Sequence, residues 1–225
     1  MRTALITGAS SGIGAALARR LAPTWNLILV ARRRDRLEAV AAECAHARIV
    51  VADLSADDEP EALARHLELP RGLDALVNNA GIFATADTAA YTASHLSSIL
   101  HLNAVVPMRL TAALLPRLVR GGTIVNVSSV AAVADFSGCG AYAASKAALE
   151  AWSRSLRVEV RPQGLRVGVV APGATDTEVW PSGAPVPRER MCQADDVAQA
   201  IAWMLDAPAT ASIERLAIMP PAGPF

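Results

Sequence analysis

The chain has 225 residues, 52% of them apolar and 19% charged, with a mean hydropathy of +0.31. That length fits one domain spanning 1–225, which can bury about 70% of its unfolded surface, and the composition excludes a disordered chain. The 21 basic and 21 acidic residues cancel, so bulk charge recruits neither nucleic acid nor an anionic membrane.

There is no unbroken apolar run long enough to cross a bilayer. Met1 to Ile6 passes straight into a strand-like run, which leaves no room for a signal peptide. The cysteines, Cys44, Cys139 and Cys192, are odd in number, widely separated and without CxxC spacing. They exclude a disulfide framework and a thiolate zinc site and point to the reducing cytoplasm. His46, His66, His95 and His101 share no metal-ligand spacing with carboxylates or cysteines, so no metal is expected.

Strand and helix patterns alternate along the chain. Strands are expected at Thr3–Thr7, Asn26–Ala31, Ala47–Val51, Leu73–Asn78, Gly122–Ser128, Leu165–Ala171 and Glu214–Ile218. They are continuous apolar runs, as parallel strands covered on both faces should be. Helices are expected at Gly12–Ala22, Arg34–Ala45, Asp57–Leu67, Ser94–Val119, Ala141–Arg161 and Ala194–Asp206, with Pro107 kinking the fourth or marking its first turn. This alternation predicts an α/β fold: a Rossmann-type, doubly wound, seven-stranded parallel sheet in three α/β/α layers. Thr175–Arg190, with Pro181, Gly183, Pro185 and Pro187, is the one irregular stretch and a candidate substrate loop.

The first strand ends in Gly8-Ala9-Ser10-Ser11-Gly12-Ile13-Gly14, and a helix opens at once. Glycines that bring backbone N–H groups to a helix N-terminus bind a pyrophosphate. A carboxylate about 20 residues further on would hold an NAD ribose; Arg32 and Arg33 stand there instead. Guanidinium suits a 2′-phosphate. An unpaired basic cluster at a helix start also opposes the helix dipole, which a bound anion would relieve. NADP(H) is therefore expected over NAD(H), through Arg32 and Arg33, while Arg34 and Arg36 read as solvated. Asp53, before Leu54, reads equally as an adenine contact or as the N-cap of the next helix.

Asn78-Asn79-Ala80-Gly81 closes the fourth strand, in the crevice of an open α/β sheet. Asn79 reads there as satisfying orphan backbone groups. The 21 basic residues include a single lysine, Lys146, four residues after Tyr142 and on the same helix face. A phenol titrates near 10, and an adjacent ammonium favours the phenolate. A Tyr142 tuned in this way can protonate a carbonyl as hydride arrives, or deprotonate an alcohol in reverse. A serine of Ser128-Ser129 can orient the same oxygen.

Together these motifs resemble the short-chain dehydrogenase/reductase family in its single-domain form. The resemblance rests on Thr7-Gly8-xxx-Gly12-x-Gly14, Asn78-Asn79-Ala80-Gly81, Asn103, Ser129, Tyr142-xxx-Lys146 and Pro172-Gly173. It implies a catalytic tetrad. Tyr142 is the acid/base, and Lys146 lowers its pKa and binds the nicotinamide ribose. Ser129, chosen over Ser128 by its spacing to Tyr142, positions the substrate oxygen. Asn103 holds a water that links Lys146 to solvent. Pro172, Gly173, Thr175 and Thr177 are expected to face the nicotinamide. The resemblance further implies homodimers or homotetramers through the two long helices. Ser11 stands where many NADP-using members carry a basic residue, a departure that leaves the 2′-phosphate to Arg32 and Arg33.

Candidate pocket residues are Ala131, Phe136, Cys139 and Trp180, each read equally as loop packing. Arg188 and Arg190 lie in the same loop. The expected function is NADP(H)-dependent transfer of hydride between nicotinamide and a small-molecule carbonyl or secondary alcohol. The alternative is a non-catalytic dinucleotide sensor on the same fold. The joint presence of Ser129, Tyr142 and Lys146, which a sensor does not need, favours the enzyme.

Overall fold

The computed structural model describes residues 1–180 and 187–223. Pro181, Gly183 and Pro185 of the expected irregular stretch lie outside the described residues. Seven parallel strands form the main sheet: β1 (Arg2–Thr7), β2 (Trp25–Ala31), β3 (Ala47–Val51), β4 (Leu73–Asn78), β5 (Leu118–Val127), β6 (Arg166–Pro172) and β9 (Arg215–Ile218), in the order β3-β2-β1-β4-β5-β6-β9. A second, two-strand parallel pair joins β7 (Thr175–Asp176) to β8 (Cys192–Gln193). The start of the stretch expected to be irregular is thus tied to the residues just beyond its end.

The helices cover both faces, as right-handed crossovers require. On one face, α1 (Gly12–Leu21), α2 (Arg34–Ala42) and α6 (Ala194–Leu205) bury Leu17, Leu37 and Ile201 against Ile6, Leu29 and Val125. On the other, α3 (Glu59–His66), α4 (Ala93–Arg117) and α5 (Gly140–Val160) bury Leu63, Leu110 and Leu156 against Leu5, Leu76 and Ile124. Each such side chain, taken out of water, stabilises the fold by about 1.5–3 kcal/mol.

The fourth helix departs from the expected Ser94–Val119. Pro107 has no N–H to return to the Asn103 carbonyl, and the backbone widens over His101–Val105 into a π turn. There the Val106 N–H reaches back to the His101 carbonyl. The helical stretch ends at Arg117, because β5 begins at Leu118, which pairs with Leu73. This makes β5 longer at its start than Gly122–Ser128. By length and composition α4 could cross a membrane, which the lack of an unbroken apolar run did not flag; here Ile99, Asn103, Leu110 and Leu114 are fully buried in the domain.

The strand order reverses between β1 and β4. At that switch point the carboxyl ends of the strands open a crevice, a cavity of about 830 Å³.

Candidate active site

The glycine-rich turn forms one wall of the cavity. Gly8 sits at φ +66°, where a side chain is strained, and a Cβ there would lie 2.9 Å from the Ala80 Cα. A Cβ on Gly14 would lie 2.5 Å from the Gly8 carbonyl oxygen. Both positions therefore need glycine for the turn to pack this closely. The α1 N-cap, Ser11, makes no side-chain capping bond, and the first turn holds no acid. The leading N–H groups of α1 are thus left for an external anion, and the residues fit a pyrophosphate. Ile13 packs against the core beneath the turn.

Asn79 braces the same wall: its Nδ2 donates to the Thr7 carbonyl at 2.8 Å and to that of Gly8 at 3.3 Å. The Thr7 hydroxyl accepts from the N–H groups of Asn79 and Ala80, each at 3.0 Å. Gly81 lies beside this anchored pair and against Asn103; a Cβ there would meet Asn103 Oδ1 at 2.8 Å and Lys146 Nζ at 3.5 Å.

The basic cluster is not unpaired, contrary to the sequence expectation. Arg33 donates to Ser10 Oγ at 3.1 Å, to Ser11 Oγ at 2.8 Å and to the Glu178 carboxylate at 3.1 Å. Arg36, expected to be solvated, donates to the same carboxylate at 2.6 Å. Together the two guanidiniums, Arg36 foremost, hold Glu178 below the ordinary carboxylate range. Arg34 pairs with Glu38 at 3.6 Å on its own exposed helix face. Arg32 lies 3.8 Å from Asp53. Asp53 does not cap α3, whose N-cap is Asp58. Its Oδ1 accepts from the Ser55 hydroxyl at 2.6 Å and N–H at 3.1 Å, bonds that lower its pKa ahead of the contribution from Arg32. Asp53 and Leu54 line the cavity at this end.

At the opposite end stand Ser129, Tyr142 and Lys146. The Ser129 hydroxyl donates to the Pro172 carbonyl at 3.5 Å and accepts the Ala131 N–H at 3.2 Å; it lines the cavity with Tyr142. Ser128 turns away, its Oγ 3.5 Å from the Lys146 carbonyl. Lys146 Nζ donates to the Val127 carbonyl at 2.9 Å and lies 5.7 Å from the Tyr142 ring centroid. Burial brings the Lys146 pKa down to about 8. Burial also pushes Tyr142 up, with the nearby Ser129 hydroxyl opposing and Cys139 adding to the rise. Proximity to Lys146 therefore does not produce the lowered phenol expected from spacing alone. At nearly 6 Å from the ring, and with its own charge disfavoured, the amine exerts less effect than desolvation does.

Asn103 is fully buried and its amide is already engaged. Oδ1 accepts the Ile82 N–H at 2.9 Å; Nδ2 donates to the Ile82 carbonyl at 2.9 Å and to Ser145 Oγ at 3.1 Å. Its side-chain donors tie the loop after β4 to Ser145 on α5.

A profile of the short chain dehydrogenase family matches residues 2–185. The chain belongs to this family. Serine 3-dehydrogenase of Agrobacterium fabrum is 36% identical, with 97% of this chain and 93% of that protein aligned. Sulfoacetaldehyde reductase 2 of Chromohalobacter salexigens is also 36% identical, over 96% and 93%. Among solved structures, an alcohol dehydrogenase from Thermococcus sibiricus complexed with 5-hydroxy-NADP superposes with a TM-score of 0.90 at 29% identity, covering 98% of this chain and 97% of that one. A closed serine dehydrogenase complexed with NADP+ gives 0.90 at 27%, covering 99% and 96%. The chain is thus an oxidoreductase of the short-chain dehydrogenase type.

Beyond Tyr142 the cavity walls are aromatic. Phe83 packs edge-on to Tyr142 and tilted against Trp180, both at 5.0 Å between centroids. Trp180 is fixed by Nε1 donating to the Thr175 carbonyl at 2.9 Å. Ala131, Phe136 and Cys139 line the same end, with Pro172, Gly173, Thr175 and Thr177 on the β6 side. Thr177 touches the glycine-rich turn: a Cβ on Gly12 would meet its Cγ2 at 3.1 Å. Arg188 is paired with Asp176 rather than aimed into the cavity. Sequence reasoning missed Phe83 and Glu178. Neither lies in a motif, and Glu178 meets Arg36 across 142 residues of chain.

Proposed function

We propose that this protein is an NADP(H)-dependent oxidoreductase that moves hydride between nicotinamide and a carbonyl or secondary alcohol, with Tyr142 as general acid/base. The observation that carries the reading is that Ser129, Tyr142 and Lys146 line the same cavity as the glycine-rich turn. The α1 N-terminus would hold the pyrophosphate. Arg33, with Ser10, Ser11 and the nearby Arg32, would hold a 2′-phosphate; Asp53 and Leu54 would flank the adenine. Asn79, Ala80, Gly81, Pro172, Gly173, Thr175 and Thr177 would frame the nicotinamide. When bound, the nicotinamide supplies or accepts the hydride.

The remaining chemistry belongs to the chain. In reduction Tyr142 Oη gives its proton to the substrate oxygen, and in oxidation it takes that proton back. The neutral phenol favoured by burial is the form that reduction needs. Ser129 Oγ holds the substrate oxygen beside Tyr142. Lys146, buried and partly deprotonated near its pKa of about 8, is placed to pass a proton onward at neutral pH. Asn103 holds the loop after β4 against Ser145 and so fixes the floor under Lys146.

Phe83, Ala131, Phe136 and Trp180 favour an uncharged, apolar carbonyl substrate. Among the described residues at this end, the one cation lining the cavity is Lys146, and its Nζ is given to Val127. Exposed Leu100 and Val105 on α4 and Val158 on α5 support assembly of two or four copies through these helices. Three buried free cysteines fit a cytoplasmic setting.

The test is NADPH oxidation against neutral ketones and aldehydes, with NADH in parallel. Turnover that prefers NADPH supports the reading. Tight NADPH binding with no turnover of any carbonyl would instead favour the sensor.

A further inference from the structure

Glu178 lies outside every motif, yet its carboxylate pairs with Arg33 and Arg36 at the proposed 2′-phosphate site. Its carboxylate accepts from Arg33 Nη1 at 3.1 Å and Arg36 Nη1 at 2.6 Å. Arg33 spends its remaining nitrogens on Ser10 and Ser11, the residues that open the pyrophosphate turn. A phosphate monoester on the ribose would seek the same guanidinium fork. It carries about two negative charges near neutral pH, so it cannot share the fork with a carboxylate without repulsion. Glu178 also sits between Thr177, which touches the glycine-rich turn, and Trp180, which walls the substrate end.

We propose that Glu178 is a specificity-determining residue for the cofactor: its carboxylate competes with the adenosine 2′-phosphate for Arg33 and Arg36. The proposal rests on the NADP(H) reading above. It makes the discrimination between NADPH and NADH smaller than three neighbouring arginines would give alone, because only the 2′-phosphate must displace an anion already in place. It also ties that displacement to the segment bearing Trp180. A ligand with the 2′-phosphate releases the segment's ionic tether, whereas one without it leaves the tether closed.

The side chain of Glu178 is 57% exposed, so each ion pair is screened and modest, and the competition is worth about three- to tenfold in affinity. The probes are 2′,5′-ADP and 5′-AMP, which differ in the 2′-phosphate and leave the nicotinamide end empty. Titration calorimetry on the full chain should find that Glu178→Gln binds 2′,5′-ADP about three- to tenfold tighter and 5′-AMP unchanged. The gain should shrink as salt rises.

If the unsubstituted chain binds both probes equally, the 2′-phosphate reading itself fails and the proposal falls with it. If the unsubstituted chain prefers 2′,5′-ADP but Glu178→Gln leaves the ratio unchanged or lowers it, the competition alone is overturned. The substitution is isosteric at a water-facing position, so folding is not at stake; matching thermal midpoints verify this.

Discussion

Lys146→Met should change how stability depends on pH. Lys146 is 5% exposed, and burial lowers the pKa of its amine from 10.5 to about 8. That depression corresponds to about 3 kcal/mol of extra cost for the charged form in the folded state. An unfolded chain keeps the proton until about pH 10.4. Between about pH 8 and 10.5 the unfolded state therefore holds a proton that the folded state has released, and stability rises with pH across that window. Below it both states are charged and the cost is constant. Methionine cannot titrate, and it fills similar volume. It does lose the 2.9 Å bond to the Val127 carbonyl, an offset that is the same at every pH. Cys44, Cys139, Cys192 and Tyr142, all raised by burial, push the other way as pH climbs. The difference between the two proteins isolates Lys146. Urea midpoints across this range should show the variant losing up to about 3 kcal/mol relative to the unsubstituted chain as pH rises. Parallel profiles would refute the account of a desolvated amine.

Gly14→Ala should abolish nucleotide binding and destabilise by about 1–3 kcal/mol or more, since its Cβ would sit 2.5 Å from a backbone oxygen; calorimetry with NADPH and a thermal scan measure both. Asn126→Ala should cost about 2–3 kcal/mol in urea unfolding, because Asn126 accepts from Asn78 at 2.8 Å and donates to Ser153 at 2.8 Å while fully buried. Trp180→Ala should raise KM for apolar ketones with a smaller effect on kcat, because the indole walls the cavity and does not touch the proton path; steady-state kinetics separate the two.

The central strands were legible in the sequence because both faces of a parallel sheet are covered, so each is a continuous apolar run; the edge strands β3 and β9, half-exposed and carrying Arg48 and Arg215, were legible from the strand–helix alternation. The site motifs were legible for a related reason: glycine-rich turns and an i,i+4 Tyr–Lys pair are local. What was hidden depends on distance or on solvation. Glu178 reaches Arg33 and Arg36 through tertiary folding alone, so the basic cluster read as unpaired. Phe83 occupies a loop with no periodicity. The π turn follows from Pro107, whose presence was plain but whose effect on Asn103 depends on how the helix relaxes. The direction of the Tyr142 pKa required knowing that phenol and amine are both buried, which spacing does not report.

The most direct test of Tyr142 as the proton donor compares Tyr142→Phe with the unsubstituted enzyme in a single turnover of NADPH with a neutral ketone that the latter reduces. Phenylalanine preserves the edge-on contact with Phe83 and removes only the hydroxyl, so NADPH should still bind with unchanged affinity. Reduction should slow by about a thousandfold or more, within the range attributed to a positioned general acid together with its hydrogen-bonding role. Reduction at a similar rate, with binding intact, would contradict the central claim.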